Sequence, residues 1–339
     1  MTSHTAAFGA DSTTEDVLCG IDLSSITALV TGASAGLGVE TARALAAHGA
    51  TVIAASRDVA KAEKELAEVR IATGSRVTVE EVDLASLASV RSFTDRIRET
   101  YDRLNLIIAN AGVMACPEGR TVDGFEIQFG TNHLGHFLLV NRLIPLLVAG
   151  APSRVVCLSS AGHRRADIDL GDPNLDATPY SAFDAYGRSK TANILFAVAL
   201  DRRMRDQGVR ACAVHPGTIG TTQLMRHLDQ EHISLLNEHS PNMKSVGAGA
   251  ATTVWAAVIA EGEAVGGHYA EDCAVAPVSD EEVTATGGRA GVRSYAVDPD
   301  RAEALWAVSE HMVGEQFTAH DSTSAQEGSS RTHSPPRLV

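Results

Sequence analysis

Cysteine is scarce in this sequence, and its placement argues against the usual cysteine-based sites. There is no CxxC pair and no cysteine-histidine cluster at zinc-binding spacing among the five cysteines, which are Cys19, Cys116, Cys157, Cys212 and Cys273. A structural zinc site or a disulfide framework is therefore not expected. We predict no metal, reduced thiols and a cytoplasmic location.

Positive charge and long apolar runs are also lacking. Lysine and arginine number 28 against 42 acidic residues, a formal net charge of −14, so clustered contacts to nucleic-acid phosphates are not expected. The longest mainly apolar stretch, residues 104–116, contains polar residues and is too short to cross a bilayer. Because the N-terminus has no basic region followed by an apolar run, it does not resemble a signal peptide. We predict neither a nucleic-acid nor a membrane partner.

The sequence does contain 44% hydrophobic residues, arranged as short β-branched runs that alternate with amphipathic stretches. This alternation predicts an α/β fold, a doubly wound parallel sheet (Rossmann-type) with helices on both faces, in one domain over residues 20–317. We expect seven strands, at residues 26–31, 51–56, 76–82, 104–110, 154–159, 209–215 and 267–270. Helices are expected at residues 37–48, 59–73, 87–101, 121–148, 185–207 and 247–260. The polar ends, residues 1–19 and 318–339, are predicted to be flexible tails.

A glycine-rich turn follows the first predicted strand. Gly32, Gly36 and Gly38 separate this strand from an alanine-rich helix. Glycines let the backbone approach a pyrophosphate, and the N-terminus of a helix favours an anion. The spacing is GxxxGxG and not the more specific GxGxxG, so an ordinary strand-helix turn remains the alternative.

The end of the second predicted strand lacks the acidic residue that would hold a ribose hydroxyl of NAD. Ser56 and Arg57 stand there instead, and the planar guanidinium of Arg57 suits a 2′-phosphate. Asp58, twenty residues beyond Gly38, competes for the NAD role, but it is better interpreted as the N-cap of the next helix. NADP(H) is therefore predicted ahead of NAD(H).

A tyrosine and a lysine share one face of a predicted helix. Tyr186 and Lys190 are four residues apart, and an ammonium at that distance is expected to lower the pKa of the tyrosine. A tyrosine with a lowered pKa can exchange a proton with a carbonyl oxygen. Such a pair also occurs on many ordinary helices.

Six short segments occur in an order that resembles the short-chain dehydrogenase/reductase family. They are TGASAGLG at 31–38, NAG at 110–112, NHLGHF at 132–137, SS at 159–160, YGRSK at 186–190 and HPG at 215–217. The resemblance covers about residues 22–312 and implies an NADP(H)-dependent enzyme that interconverts a carbonyl compound and an alcohol. Two alternatives stay open: a lyase or epimerase on the same fold, and a nucleotide-binding regulator that has lost catalysis.

The resemblance implies a catalytic tetrad. Tyr186 would carry the proton, and Ser160 would hydrogen-bond the substrate oxygen, with Ser159 as the alternative hydroxyl. Lys190 would bind the nicotinamide ribose, and Asn132 would hold a water in the proton relay. His133 and His136, three residues apart, lack the carboxylate motif of a metal site.

It also implies a set of cofactor-binding residues. Arg57 would contact the 2′-phosphate, Asp83 the adenine and Thr221 the nicotinamide end, although Asp83 could instead cap the following helix. The complete set is Gly32, Ser34, Gly36, Leu37, Gly38, Arg57, Asp83, Leu84, Asn110, Ala111, Gly112, Tyr186, Lys190, Pro216, Gly217 and Thr221.

One segment is longer than is usual in this family. Ser160 and Tyr186 are twenty-six residues apart, so the intervening chain is expected to loop over the site. With the late GGHYAEDC segment, this looks like the branch that contains retinol dehydrogenases and similar bacterial reductases. Residues 222–245 would form a substrate lid, whose apolar side chains either line a pocket for an apolar small-molecule substrate or pack the lid onto the body. Pairing through the helices at 121–148 and 185–207 would make the protein a homo-oligomer.

Overall fold

The sheet of the predicted fold is present and has one strand more than expected. The computed structural model describes residues 8–74, 76–220, 223–228, 243–281 and 291–317. Its strands are β1 (Thr27–Thr31), β2 (Thr51–Ser56), β3 (Val77–Glu81), β4 (Leu106–Ala109), β5 (Ser153–Leu158), β6 (Val209–His215), β7 (Tyr269–Glu271) and β8 (Ala274–Val275). They lie in the order β3-β2-β1-β4-β5-β6-β7-β8, and only the last pair is antiparallel. The Rossmann-type fold class is therefore confirmed.

Helices fill the connections between the strands. They are α1 (Thr14–Leu18), α2 (Gly36–Ala47), α3 (Val59–Glu65), α4 (Ala67–Ala72), α5 (Leu87–Thr100), α6 (Ile127–Phe129), α7 (Gly135–Ala149), α8 (Ala182–Met204), α9 (Val246–Val254), α10 (Gly262–Val265) and α11 (Pro299–Val313). Segments of π-helix, Gly130–Leu134 and Trp255–Ile259, precede α7 and follow α9. Across the described part of the chain, no helix has both the length and the apolar character needed to span a bilayer.

The core consists of two apolar layers, one on each face of the sheet. Alternate residues of a strand point to opposite faces, so Leu29 joins the layer beneath α5, α7 and α8, while Val30 joins the layer beneath α2 and α9. Helices cover both faces of the sheet, which explains why the central strands are continuous apolar runs. The carboxyl ends of β1, β4 and β5 therefore meet at one rigid edge.

Part of the predicted N-terminal tail is helical, and the prediction is wrong there. Thr13 and Asp16 form a capping box at the start of α1, and Val17 and Leu18 are buried against the layer beneath α2. Arg43 of α2 also pairs with Glu15 at 2.9 Å. Because these contacts bind the segment to the body, it is not a tail. Residues 1–7 and the predicted C-terminal tail lie outside the described residues.

The long helix α8 is surrounded by its own chain. Every residue from 191 to 201 is buried, because α11 covers the side of α8 that faces away from the sheet. The Trp306 ring of α11 lies 5.9 Å from the Phe196 ring, and Arg203 pairs with Glu303 at 2.5 Å. This face of α8 is therefore not available for the pairing with a second copy that the sequence predicts. A homo-oligomer remains a prediction, and it would have to use another face.

Candidate active site

A cavity of about 690 Å³ lies at the carboxyl ends of the parallel strands. This edge, where strand order reverses between β1 and β4, is where open α/β sheets bind their ligands. The turn after β1 forms one side of the cavity and α8 another. Of the predicted site residues, the cavity is lined by Gly32, Ser34, Gly36, Leu37, Gly38, Arg57, Asp83, Leu84, Asn110, Ala111, Gly112, Ser160, Tyr186, Lys190, Pro216 and Gly217.

The turn after β1 has the shape of an anion cradle. Gly32 and Gly36 have φ angles of +69° and +53°, which L side chains rarely adopt. A Cβ on Gly38 would lie 2.3 Å from the Gly32 carbonyl oxygen, so only glycine fits there. Ala35, the N-cap of α2, supplies no side-chain hydrogen bond to the first N–H groups of the helix. These features fit the pyrophosphate of a dinucleotide, which would accept hydrogen bonds from those N–H groups.

The adenosine end of the cavity contains the residues that would choose between cofactors. Arg57 follows β2 directly, and Lys61, which the sequence analysis did not single out, lines the same wall. Asp58 is the N-cap of α3 and accepts a hydrogen bond from the Lys61 N–H at 3.0 Å, as predicted. Two cations in this wall would suit a 2′-phosphate.

Asp83 does not cap a helix. Its carboxylate accepts the Ala85 N–H at 2.9 Å in a local turn, and Ser86 is the N-cap of α5. The capping alternative is therefore wrong. Asp83 and Leu84 line the cavity, and the predicted adenine contact of Asp83 stays a prediction.

The NAG segment after β4 is tied to the end of β1. The Oγ1 atom of Thr31 accepts the backbone N–H groups of Asn110 and Ala111 at 2.9 and 3.0 Å. The Asn110 side chain donates to the Thr31 carbonyl at 2.7 Å. Asn110 thus shapes the cavity wall through this bond, whereas the sequence prediction gave it only a cofactor contact. Thr31 itself was missed, although it is the first letter of the glycine motif.

Tyr186 and Lys190 face the cavity from α8. The Lys190 Nζ atom lies 5.5 Å from the centre of the Tyr186 ring and donates to the Leu158 carbonyl at 3.1 Å. Burial raises the pKa of Tyr186 to about 12, although its hydrogen bond with Ser160 acts in the opposite direction. Burial also lowers the pKa of Lys190 to about 8. The expected lowering of the tyrosine pKa is therefore wrong for the protein alone, because loss of water on burial outweighs the hydrogen bond with Ser160.

The two serines that follow β5 have different partners. Ser159 donates its hydroxyl to the Lys190 carbonyl at 2.9 Å, which fixes it against α8. Ser160 accepts the Gly162 N–H at 3.0 Å and shares a hydrogen bond with Tyr186. Ser160 is thus the serine next to the tyrosine hydroxyl, as the sequence analysis prefers.

Asn132 lies behind the cavity wall and does not line it. It is fully buried within the π-helical segment, and its side-chain amide exchanges two hydrogen bonds with the Val113 backbone, at 2.8 and 2.9 Å. A third bond joins the Asn132 amide to the Ser189 hydroxyl at 2.9 Å. The side chain therefore braces the segment after β4 against α8. The water contact predicted for Asn132 remains a prediction.

The nicotinamide end is described only in part. Pro216 and Gly217 line the cavity, whereas Thr221 and most of the predicted lid lie outside the described residues. Leu224 and Met225, which are described, also line the cavity. Met114, Thr131 and Phe183 line it too and were missed, because nothing in their local sequence marks them. In the part of the chain that is described, no group of three or more side chains could hold a metal ion.

Comparisons with known proteins match this geometry. A profile of the short chain dehydrogenase family matches residues 26–232. The chain belongs to this family. Within it, the chain is similar to retinol dehydrogenase 12 of Mus musculus, with 41% identity over 290 residues, 85% of this chain and 86% of that protein.

Two solved structures agree with the family assignment. An uncharacterized protein from Mycobacterium paratuberculosis superposes with a TM-score of 0.69 at 35% identity, covering 91% of this chain and 99% of that chain. A short chain dehydrogenase from Burkholderia cenocepacia J2315, solved in complex with NADP, gives 0.56 at 25% identity, covering 69% and 90%. The predicted family is confirmed, and with it an oxidoreductase that binds a nicotinamide cofactor.

Proposed function

We propose that this short-chain dehydrogenase uses NADP(H) to interconvert an aldehyde or ketone and the corresponding alcohol. The observation that carries the proposal is the meeting of Ser160, Tyr186 and Lys190 on the wall of a cavity whose other end is a glycine cradle. A dinucleotide held in that cradle would extend along the cavity towards these side chains. No member of the predicted tetrad is missing from the chain, which counts against a regulator that has lost catalysis.

The cradle and the adenosine wall would hold the cofactor. The N–H groups at the start of α2 would receive the pyrophosphate, and Arg57 with Lys61 would receive the 2′-phosphate. When bound, NADPH supplies the hydride. Lys190 would hold the nicotinamide ribose, in keeping with its position on the wall beside Tyr186.

The chain's own residues would handle the proton. With a pKa of about 12, Tyr186 keeps its hydroxyl proton at neutral pH and can donate it to a carbonyl oxygen in the direction of reduction. Ser160 is already hydrogen-bonded to Tyr186 and would orient the same oxygen. Removing the proton from an alcohol requires the phenolate form of Tyr186. The reverse direction therefore needs a lower Tyr186 pKa, which the positive charges of Lys190 and the oxidised nicotinamide would favour.

The substrate would be an apolar carbonyl compound or the corresponding alcohol. Met114, Phe183, Leu224 and Met225 line the cavity and offer apolar surface near the catalytic groups. Similarity to retinol dehydrogenase 12 supports the same chemical class. Cytoplasmic location is also proposed, and fractionation of the source cells tests it.

A screen of aldehydes, ketones and alcohols, followed by NADPH absorbance, tests the function. We expect turnover with apolar carbonyl compounds and less with small polar ones. No turnover with any carbonyl or alcohol, in a protein that binds NADPH, would contradict the proposal and favour the lyase or epimerase alternative.

A further inference from the structure

His136 connects the end of β1 to the catalytic segment before α7. Its Nε2 atom lies 2.8 Å from the Thr31 Oγ1 atom, and its Nδ1 atom lies 2.9 Å from the backbone carbonyl oxygen of Asn132. The ring is 2% exposed, so both contacts are sheltered from water. The same Thr31 oxygen binds the NAG segment, and Asn132 belongs to the predicted tetrad. One imidazole therefore joins three parts of the site.

The direction of each hydrogen bond in this chain follows from the partners. Thr31 Oγ1 accepts two backbone N–H groups and has one proton to give. That proton can reach His136 at 2.8 Å or the Ile108 carbonyl at 3.4 Å, and the shorter contact is the better hydrogen bond. The Asn132 carbonyl can only accept, so Nδ1 must carry the ring proton. His136 thus accepts at Nε2 and donates at Nδ1.

The surroundings keep the ring neutral. The pKa of His136 is lowered to about 4, mainly by burial and also by the nearby Lys190 ammonium, although the bond to Asn132 acts in the opposite direction. A second proton would sit on Nε2 and oppose the Thr31 hydroxyl proton. The chain therefore keeps one arrangement over the range of pH in which enzymes work.

We propose that His136 is a positioning residue: its Nδ1–H holds the backbone carbonyl of Asn132 in place, and its Nε2 contact with Thr31 orients the ring. This inference rests on the proposed function, since Asn132 is taken to serve the proton relay there. His136 does not line the cavity and acts through Asn132.

Two substitutions test the two ring nitrogens of His136 separately. His136→Asn keeps an N–H donor near the position of Nδ1, and the Thr31 hydroxyl can then turn to the Ile108 carbonyl. His136→Gln keeps an acceptor near the position of Nε2 but loses the donor to Asn132. We expect kcat to fall about tenfold in the Gln variant, the loss of one hydrogen bond, with KM for NADPH changed less than about threefold. The Asn variant should stay within about threefold of wild type in kcat.

Thermal unfolding of both variants controls for simple loss of stability. Equal losses of kcat in both variants, or full activity in the Gln variant, would overturn the proposal, because a packing role does not distinguish the two nitrogens. Activity in the wild type is the separate test of the proposed function.

A second measurement does not depend on turnover. In protein labelled with ¹⁵N-histidine, the ring nitrogens of His136 should report a neutral ring protonated at Nδ1, assigned by the signal that disappears in His136→Asn or in His136→Gln. This signal should persist unchanged from pH 8 to about pH 5, because the pKa of His136 is about 4. A ring protonated at Nε2, or one that titrates near pH 6.5, would overturn the inference even if the enzyme is active.

Discussion

The Lys190 ammonium lies over the Tyr186 ring, 5.5 Å from its centre, and its hydrogen bond goes to the Leu158 carbonyl. The two groups are therefore neighbours without a direct bond from the ammonium to the hydroxyl among those described. Because both groups are buried, the pKa of Tyr186 is raised to about 12 and the pKa of Lys190 is lowered to about 8. At neutral pH, Lys190 therefore carries a positive charge and Tyr186 is neutral.

This arrangement predicts how carbonyl reduction depends on pH. Lys190 has a lowered pKa, so it is charged below about pH 8 and becomes neutral as the pH rises through that value. We expect kcat/KM for NADPH to be constant from pH 6 to 7.5 and to fall above pH 8, because a neutral lysine holds the cofactor less well. Initial rates measured at varied NADPH and a fixed concentration of one carbonyl substrate, at each pH, give this profile. A constant kcat/KM up to pH 10 would show that the charge on Lys190 is not needed.

Sequence patterns predicted the parts of the fold whose signals are local. β2 and β6 begin and end where they were predicted, because mainly apolar runs between polar turns specify them. The helix predicted to start at residue 121 begins at Ile127 instead. Residues 120 and 126 form a β-bridge, and the Glu126 carboxylate accepts the first N–H groups of α6. An apolar pattern could not reveal that a buried glutamate sets this boundary.

Two of the helices that were missed were missed for different reasons. Helix α11 carries clear signals, with Asp298 as N-cap, Pro299 at its first position and Gly314 after its end, and these could have been found. Helix α1 has only five residues and depends on packing against α9 and α2, which no local pattern shows. In the site, the motifs identified part of the cavity lining. The bonds of Thr31 and His136 depend on tertiary contacts and could not be predicted.

The cofactor preference should depend on Arg57. We expect NADP(H) to bind at least about tenfold more tightly than NAD(H), and Arg57→Ala to remove most of this difference, since a charge-assisted contact to the 2′-phosphate is lost. Titration with all four nucleotides measures it. Arg57→Lys, which keeps the charge, is the matched control and should retain part of the preference. An unchanged preference in the Ala variant would assign the 2′-phosphate to other residues, with Lys61 as the first candidate.

Helix α11 should contribute strongly to stability through Trp306. The Trp306 ring is 2% exposed and lies 5.0 Å from the Phe137 ring, and the Arg203 guanidinium stacks over it at 4.3 Å. Replacing it by alanine should lower the free energy of unfolding by about 3–5 kcal/mol, because a large cavity is left. Denaturant unfolding measures this change. Ile71→Ala, at a side chain that is 83% exposed, is the control and should change stability by less than about 0.5 kcal/mol. A loss below about 1 kcal/mol at Trp306 would show that α11 is weakly attached.

The role of the Tyr186 hydroxyl can be tested without disturbing the ring. Tyr186→Phe removes only the group that would donate the proton, and the ring keeps its packing beside Gly162 and below Lys190. Acid-base groups contribute roughly 10²- to 10⁴-fold, so we expect kcat to fall at least about a hundredfold while NADPH affinity hardly changes.

Lys190→Ala should differ from Tyr186→Phe, because it removes a charge on the cofactor side as well. In that variant, both kcat and NADPH affinity are expected to fall. Comparing the two variants by stopped-flow rates and by cofactor titration separates proton transfer from cofactor binding. If Tyr186 served only to pack α8 against the loop after β5, the Phe variant would lose little activity. A folded Tyr186→Phe protein that binds NADPH and keeps more than about a tenth of the wild-type kcat would therefore exclude Tyr186 as the proton donor.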